Sequence, residues 1–360
     1  MRSLPDYPWD RLVPYREVAE RHPGGLVDLS IGTPVDPVPL VIRRALDDLS
    51  DRPGYPTTAG TATLRAAIQE WLSRSCRAPQ GVGVLPTIGS KELVAWLPTL
   101  LGVGSGDAIV VPRLAYPTYE IGARLAGARV VRADDPTEVD DPSVKLVWLN
   151  SPSNPTGAVL SAQRLTELVT WARERGVILV NDECYVTLGW DVSPTSILDS
   201  TVGGERSLGV LAVHSLSKRS NLAGYRAGFV AGDTDLVDGL LKVRKHAGMI
   251  VPFPVQGAMA AGLRDETHAR EQRERYRHRR SRLATALRES GWRIDHSEAG
   301  LYLWATRGWD AWDSVAWLAE RGILVGPGEF YGTDGSRHVR IALTATDERV
   351  DEAAARLTEQ

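Results

Sequence analysis

Between about residues 84 and 232, short unbroken apolar runs alternate with stretches whose apolar residues recur every three to four positions. The runs 108–111, 128–132, 145–149, 177–181, 209–213 and 227–231 have the length and the polar or glycine borders of buried strands. Between two of them, Ser161 stands where a helix N-cap belongs. Leu165, Leu168, Val169 and Ala172 then repeat at helical spacing, and Gly176 ends the repeat. This alternation predicts an α/β protein with a largely parallel sheet covered by helices on both faces. Ligands of such sheets bind outside the carboxyl ends of the strands. After about residue 264 the texture changes. Residues 265–288 predict a long charged helix, residues 337–343 a strand, and a last helix follows. The pattern therefore divides into a large domain, residues 34–264, and a small α+β domain made of residues 1–33 and 265–360.

Composition narrows the function. The chain has 42 Lys+Arg against 45 Asp+Glu, a formal net charge of −3, which gives no basic surface for nucleic acid. The arginine-rich run from His268 to Arg282 is interleaved with glutamates, so a solvated helix face is expected there. With 43% hydrophobic and 24% charged residues, the chain has an ordinary folding composition. No apolar run approaches the roughly 18 residues of a membrane span. The N-terminal stretch is broken by proline and charge, which predicts a cytoplasmic protein without an export signal. Cys76 and Cys184 stand alone, so neither a disulfide framework nor a structural metal is expected. Lysine is scarce, five residues against 37 arginines, so chemistry that needs an amine has few candidates.

The polar residues that follow the apolar runs carry that chemistry. His214-Ser215-Leu216-Ser217-Lys218 follows the run 209–213 and places an amine between hydroxyls at a strand end. Arg226, eight residues on, supplies a fixed cation suited to the same phosphate. Asp182 follows the run 177–181, and a carboxylate in a cleft needs a partner to stay charged, such as a protonated pyridine nitrogen. Tyr185, three residues later, offers a donor to a phenolate oxygen. Asn154, in Asn154-Pro155-Thr156-Gly157, places an amide at the same sheet edge. Gly89-Ser90-Lys91 opens an apolar helix, and free amides at a helix start bind anions. Residues 102–107 look like a dinucleotide loop, but they precede a strand instead of following one, which argues against a nicotinamide dehydrogenase.

In this order, these motifs resemble the fold-type I pyridoxal-phosphate (PLP) enzymes, specifically the class I/II aminotransferases. The resemblance runs from Leu29-Ser30-Ile31-Gly32 to Arg340-Ile341-Ala342-Leu343. It implies a mostly parallel seven-stranded sheet sandwiched by helices plus a small α+β domain, with PLP as cofactor. Lys218 would be the Schiff-base lysine, Asp182 the partner of the pyridine nitrogen, and Tyr185 and Asn154 the partners of the phenolic oxygen. Ser90, Lys91, Ser215, Ser217 and Arg226 would hold the phosphate. Tyr116 would stack on the ring, and Tyr55 would reach the neighbouring subunit's phosphate in a homodimer with shared sites. Gly32, Asn154, Arg340 and Lys91 would meet the substrate, with Arg340 gripping its α-carboxylate. An amino acid and the 2-oxoglutarate/glutamate pair are the implied substrates.

Within that family, residues 89–102 and 113–134 look most like the actinobacterial N-succinyl-diaminopimelate aminotransferases of lysine biosynthesis. The alternatives are another amino acid (aspartate, aromatic, methionine or unsuccinylated diaminopimelate) and a PLP-dependent lyase. A succinylated substrate needs a cation for its distal carboxylates, and Lys91 is the first candidate, with Arg113 and Arg219 behind it. The turn Pro327-Gly328-Glu329-Phe330-Tyr331-Gly332 is one residue longer than the family's pattern, which leaves open which aromatic faces the substrate.

Overall fold

The structure, a computed structural model, describes residues 4–359. Met1, Arg2, Ser3 and Gln360, at the two ends of the expected small domain, lie outside the described residues. The large sheet has seven strands: β1 (Gly83–Ile88), β2 (Ala108–Val111), β3 (Arg129–Arg132), β4 (Val144–Asn150), β5 (Ile178–Asp182), β6 (Val210–Ser215) and β7 (Ala227–Gly232). Their spatial order is β1-β7-β6-β5-β4-β2-β3. The strands from β6 to β3 run parallel, while β7 is antiparallel to both β6 and β1. Each apolar run expected to be a strand is one, within a residue or two at its ends. The periodicity did not single out β1, whose Gly83 and Pro86 hide the strand pattern.

Local chemistry sets the element ends. Ser161 Oγ accepts from the Arg164 amide at 3.1 Å, and Gly176 closes the helix Ala162–Arg175 with φ 63°. The long charged helix spans Glu266–Glu289, with Asp265 as its N-cap, accepting from the Thr267 and His268 amides. Residues 102–107 form the connection into β2, as their position before a strand required.

Two apolar cores result. One packs helices such as Ala62–Cys76, Ala162–Arg175 and Phe253–Arg264 against one face of the large sheet and Gly89–Leu100 and Thr118–Ala126 against the other. The other gathers Leu12, Val27 and Leu29 with Tyr276, Leu283, Trp304, Val315 and Leu357 around a four-stranded sheet. That sheet orders Gly326–Pro327, Val339–Ala342, Tyr302–Thr306 and Arg293–Asp295, all antiparallel. Among the described residues, no helix is long and apolar enough to cross a membrane.

The arginine-rich helix has the expected solvated face, with Glu271, Glu274, Arg275, Arg277 and His278 exposed, but its opposite face also carries arginines inward. Arg279 is buried and forms two bonds to Asp36, at 2.6 and 2.8 Å, and one to Asp347 at 2.6 Å. Arg273 and Arg280 turn inward as well, to the carbonyls of Gly189 and Ser297. The glutamates alternate with these arginines along the sequence, but helical spacing sorts them onto different faces. Removing one partner of a buried ion pair strands the other, at a cost of about 3 kcal/mol or more. Arg279→Met should therefore lower unfolding free energy by about 3 kcal/mol in a urea titration. A loss under about 1 kcal/mol would show that Asp36 is rehydrated at little expense.

Candidate active site

The antiparallel strand β7 shapes the site. Because it returns between β1 and β6, its first residue pairs with Ile88, the last of β1. Arg226, just before β7, thereby reaches the same edge as the carboxyl ends of β4, β5 and β6. A cavity of about 890 Å³ opens there. Ser90, Lys91, Tyr116, Asn154, Asp182, Tyr185, Ser215, Ser217, Lys218, Arg226 and Arg340 all line it. Of the thirteen residues expected at the site, Gly32 presents its backbone beside the cavity and only Tyr55 lies elsewhere. Tyr55 is 95% exposed on the surface of its own chain.

One end of the cavity is a cradle for an anion. The helix Gly89–Leu100 begins there, so its first amides have no partner within the helix. Gly89 has φ +70°, and a side chain on it would run into the Arg226 guanidinium. A Cβ at Gly228 would stand 2.9 Å from the Gly89 carbonyl carbon and from the Ser90 nitrogen. Only glycine at these two places lets helix start, strand and arginine converge. Ser215 caps the lysine turn, its Oγ accepting from the Ser217 amide at 3.1 Å.

The centre holds two ionisable groups with neutral partners. Lys218, on the four-residue helix Leu216–Arg219, donates through Nζ to the Gly32 carbonyl at 2.5 Å. Burial pulls its pKa below the ordinary lysine value, and the charges of Arg340 and Arg226 add to the effect. Asp182 accepts from the Tyr119 hydroxyl at 2.9 Å and from the Cys184 amide at 3.1 Å. Burial raises its pKa against those bonds. The neighbouring Glu183 faces away, bonded to Ser196, the Ile197 amide and Asn181, and burial raises it to about 7. Of this acid pair, only Asp182 meets the cavity.

Arg340 lies beneath the far wall, 2% exposed. Its guanidinium donates to Asn154 Oδ1 at 3.0 Å and to the carbonyls of Ser30 and Ile31 at 2.5 and 3.1 Å. The rings of Tyr302 and Tyr331 flank it at 3.9 and 4.9 Å, and its Nε has no partner. A guanidinium buried among neutral groups favours an anion within reach.

The donor set fits PLP. It combines an anion cradle, a buried carboxylate with no cation bonded to it, and a buried amine of lowered pKa. Tyr116 borders the same space, buried enough that its phenol is pushed up to about 12.

Several participants left no readable signal in the sequence. Tyr302 comes from the small sheet, where it bonds Tyr185 at 3.2 Å and touches Arg340. A Cβ on Gly32 would stand 2.7 Å from its hydroxyl, so that glycine makes room for it. Tyr7 and Trp9 lie in a proline-broken stretch that reads as a connector, yet both line the cavity. Tyr119 alone had a hint, one helical turn after Tyr116. Phe330 and Tyr331 both line the cavity, so the lengthened turn presents two aromatics instead of one.

Two expectations need correction. Arg113 pairs with Asp334 at 2.7 Å in an exposed position and does not line the cavity. Arg219 points away from it, to Glu266 at 2.8 Å and the Gly262 carbonyl at 2.6 Å. On a four-residue helix, adjacent side chains diverge by about 100°, so Lys218 and Arg219 cannot both enter the cleft.

The fold and the site together define a PLP-dependent aminotransferase of fold type I. The profile of the class I and II aminotransferases matches residues 25–357, and the chain belongs to that family. It is 59% identical to a protein of Mycobacterium tuberculosis named probable aminotransferase, over 99% of this chain and 86% of the relative. It is 57% identical to the 4-dedimethylamino-4-oxo-anhydrotetracycline transaminase of Streptomyces rimosus, over 99% of this chain and all of the relative. The solved structure of a probable N-succinyldiaminopimelate aminotransferase from Thermus thermophilus superimposes with a TM-score of 0.86 at 29% identity, covering 98% and 99% of the two chains. The family is PLP-dependent, and transamination is its reaction.

Borohydride reduction of the purified holoenzyme, followed by peptide mapping, should place the reduced cofactor on Lys218 and abolish the visible absorption. A label on Lys91, Lys242 or Lys245 would contradict the assignment.

Proposed function

We propose that this aminotransferase takes N-succinyl-LL-2,6-diaminopimelate as amino donor and 2-oxoglutarate as acceptor, in the route to diaminopimelate and lysine. The observation that carries the reading is the placement of two cations around one cavity. Arg340 is available for the α-carboxylate, and Lys91, exposed at the cavity's border, lines it with no acidic partner among the described residues. Partial desolvation lowers the Lys91 pKa and the Arg226 charge adds to it, so an anion beside it is favoured. With Arg113 and Arg219 turned elsewhere, and Arg132, which also lines the cavity, paired with Glu120, Lys91 remains for the distal carboxylate. The likeness to the Thermus thermophilus protein supports the same substrate.

When bound, PLP supplies an aldehyde that accepts the amino group and a ring that withdraws electrons from the substrate's α-carbon. Asp182 holds a proton on the ring nitrogen by its negative charge. Tyr185 and Asn154 orient the phenolic oxygen, and the cradle of Ser90, Ser215, Ser217, Arg226 and the Lys91 amide holds the phosphate. Arg340 fixes the substrate by a two-pronged grip on the α-carboxylate. Lys218 Nζ, which stands in the cavity, would take the proton from the substrate's α-carbon and hold it for return. Its lowered pKa leaves more of the amine neutral at physiological pH.

A second reading has an observation of its own. Tyr7, Trp9, Tyr116 and Phe330 make much of the cavity wall aromatic. The relative from Streptomyces rimosus is named for a polycyclic ketone. These favour a bulky ring-bearing amino acceptor. A panel of amino donors with 2-oxoglutarate, and of ketones with glutamate, separates the two readings by glutamate formed or consumed.

We assign the working unit as a cytoplasmic homodimer. The exposure of Tyr55 outside its own chain's cavity supports this reading, in which its hydroxyl would reach the neighbour's phosphate.

Losing a charge-assisted hydrogen bond costs roughly 1.5–3 kcal/mol, or about 10- to 150-fold. Lys91→Met should lower kcat/KM for the succinylated substrate by that order and leave a short apolar amino acid nearly unaffected. Equal losses for both would assign Lys91 to the cofactor instead. Mixing inactive Tyr55→Phe and Lys218→Ala subunits should regenerate activity by forming some wild-type sites. None after verified subunit exchange would refute the shared site.

A further inference from the structure

The turn that carries Lys218 is held from behind by one helix. Four successive residues, Lys218 to Asn221, each meet a residue of the long helix Glu266–Glu289. The Tyr276 hydroxyl donates to the Lys218 carbonyl at 3.2 Å. Arg219 donates to Glu266 at 2.8 Å. Ser220 Oγ meets His268 Nε2 at 2.9 Å, and His268 Nδ1 meets the N-cap Asp265 at 3.0 Å. Asn221 Nδ2 donates to Gln272 Oε1 at 3.0 Å and to the Pro37 carbonyl at 3.2 Å. Ser220, His268, Gln272 and Tyr276 are all buried.

A four-residue helix cannot hold its own geometry, because nucleation costs more than one turn of hydrogen bonds returns. Its last carbonyls also lack helical partners. Tyr276 satisfies one of them, at the residue whose side chain does the chemistry. The order Ser220–His268–Asp265 is that of a nucleophile with its base and orienting acid. Ser220 is fully buried and does not line the cavity, so this chain of bonds ties elements together and attacks nothing.

The same helix is anchored at its other half to the second core. Arg279 holds Asp36 and Asp347, and Arg282 pairs with Asp351 at 2.7 Å; Asp347 and Asp351 belong to the helix Asp347–Thr358. The helix thus contacts both the second core and the backbone of Lys218.

We propose that Tyr276, Gln272 and His268 are positioning residues for Lys218, setting where its amine stands in the cavity and coupling it to the second core. The proposal rests on Lys218 carrying the cofactor, not on the choice of substrate.

The test compares holoenzymes of Tyr276→Phe and Gln272→Leu with wild type. It reads kcat and KM, the pH midpoint of the visible absorption band, and the thermal unfolding of the cofactor-free protein. Net hydrogen-bond strengths predict a drop in kcat of about three- to tenfold for Tyr276→Phe, with KM within about twofold. A shifted band midpoint should accompany it, since the band reports the environment of the lysine linkage. His268→Gln, which can still bond Ser220, should retain the wild-type midpoint where His268→Ala shifts it. This pair decides the matter if the first variants do not fold. An unmoved midpoint with kcat within about twofold overturns the proposal, and so does lost thermal stability with an unmoved midpoint. A wild-type protein without a visible band overturns the lysine assignment and the proposal with it.

Discussion

Three ionisable groups without counter-ions, Asp182 and Arg340 buried and Lys218 partly so, meet beside one sheet edge, and the rest of the site follows from them. Arg340, Lys218 and Asp182 are each held by neutral partners: carbonyls, an amide and a phenol. Burying a charge with such partners alone is unfavourable. The folded chain carries that cost because a ligand can relieve it. In the reading proposed above, a carboxylate would answer Arg340, a protonated ring nitrogen would answer Asp182, and a covalent bond to the cofactor would remove the Lys218 ammonium. The pKa directions agree, since burial pushes Asp182 up and Lys218 down, each towards its neutral form.

The scaffold keeps these groups close without letting them neutralise one another. Asp182 ends β5, Lys218 follows β6 and Arg340 sits in the small sheet. Asn154 and Tyr302 stand at the join, each bridging Arg340 to the large-sheet side. The site thus draws residues from both cores, and the helix Glu266–Glu289 is a covalent path between them that also touches the lysine turn. A buried Arg279 in that helix makes the path stiff where a solvated helix would not be.

The apolar lining complements the charges. Tyr7, Trp9 and Phe330 lie over the cavity, with Trp9 and Phe330 ring centroids 5.2 Å apart. Water excluded by such a wall strengthens the interactions of Arg340 and Lys91 with carboxylates. The same wall offers a stacking surface to a ringed substrate, so size and charge selection operate in one space.

Much of the sheet and most of the site residues were legible in the linear sequence. Strands bury both faces and so read as continuous apolar runs, and ligand-binding groups follow their carboxyl ends; Lys218, Asp182, Asn154 and Ser90 all obey that rule. Residues brought by distant segments were not legible. Tyr302, Tyr7 and Trp9 sit in no pattern that distinguishes them from core aromatics, and β1 was masked by Gly83 and Pro86. The directions of Arg113, Arg219 and Arg279 depended on which side of a turn or helix faced which neighbour. The sequence by itself determined the elements, their order and the chemistry at their ends, because those depend on local periodicity and capping. Only the tertiary structure decided which charges are paired and which stay free for a ligand, because pairing depends on distances between segments far apart in the chain.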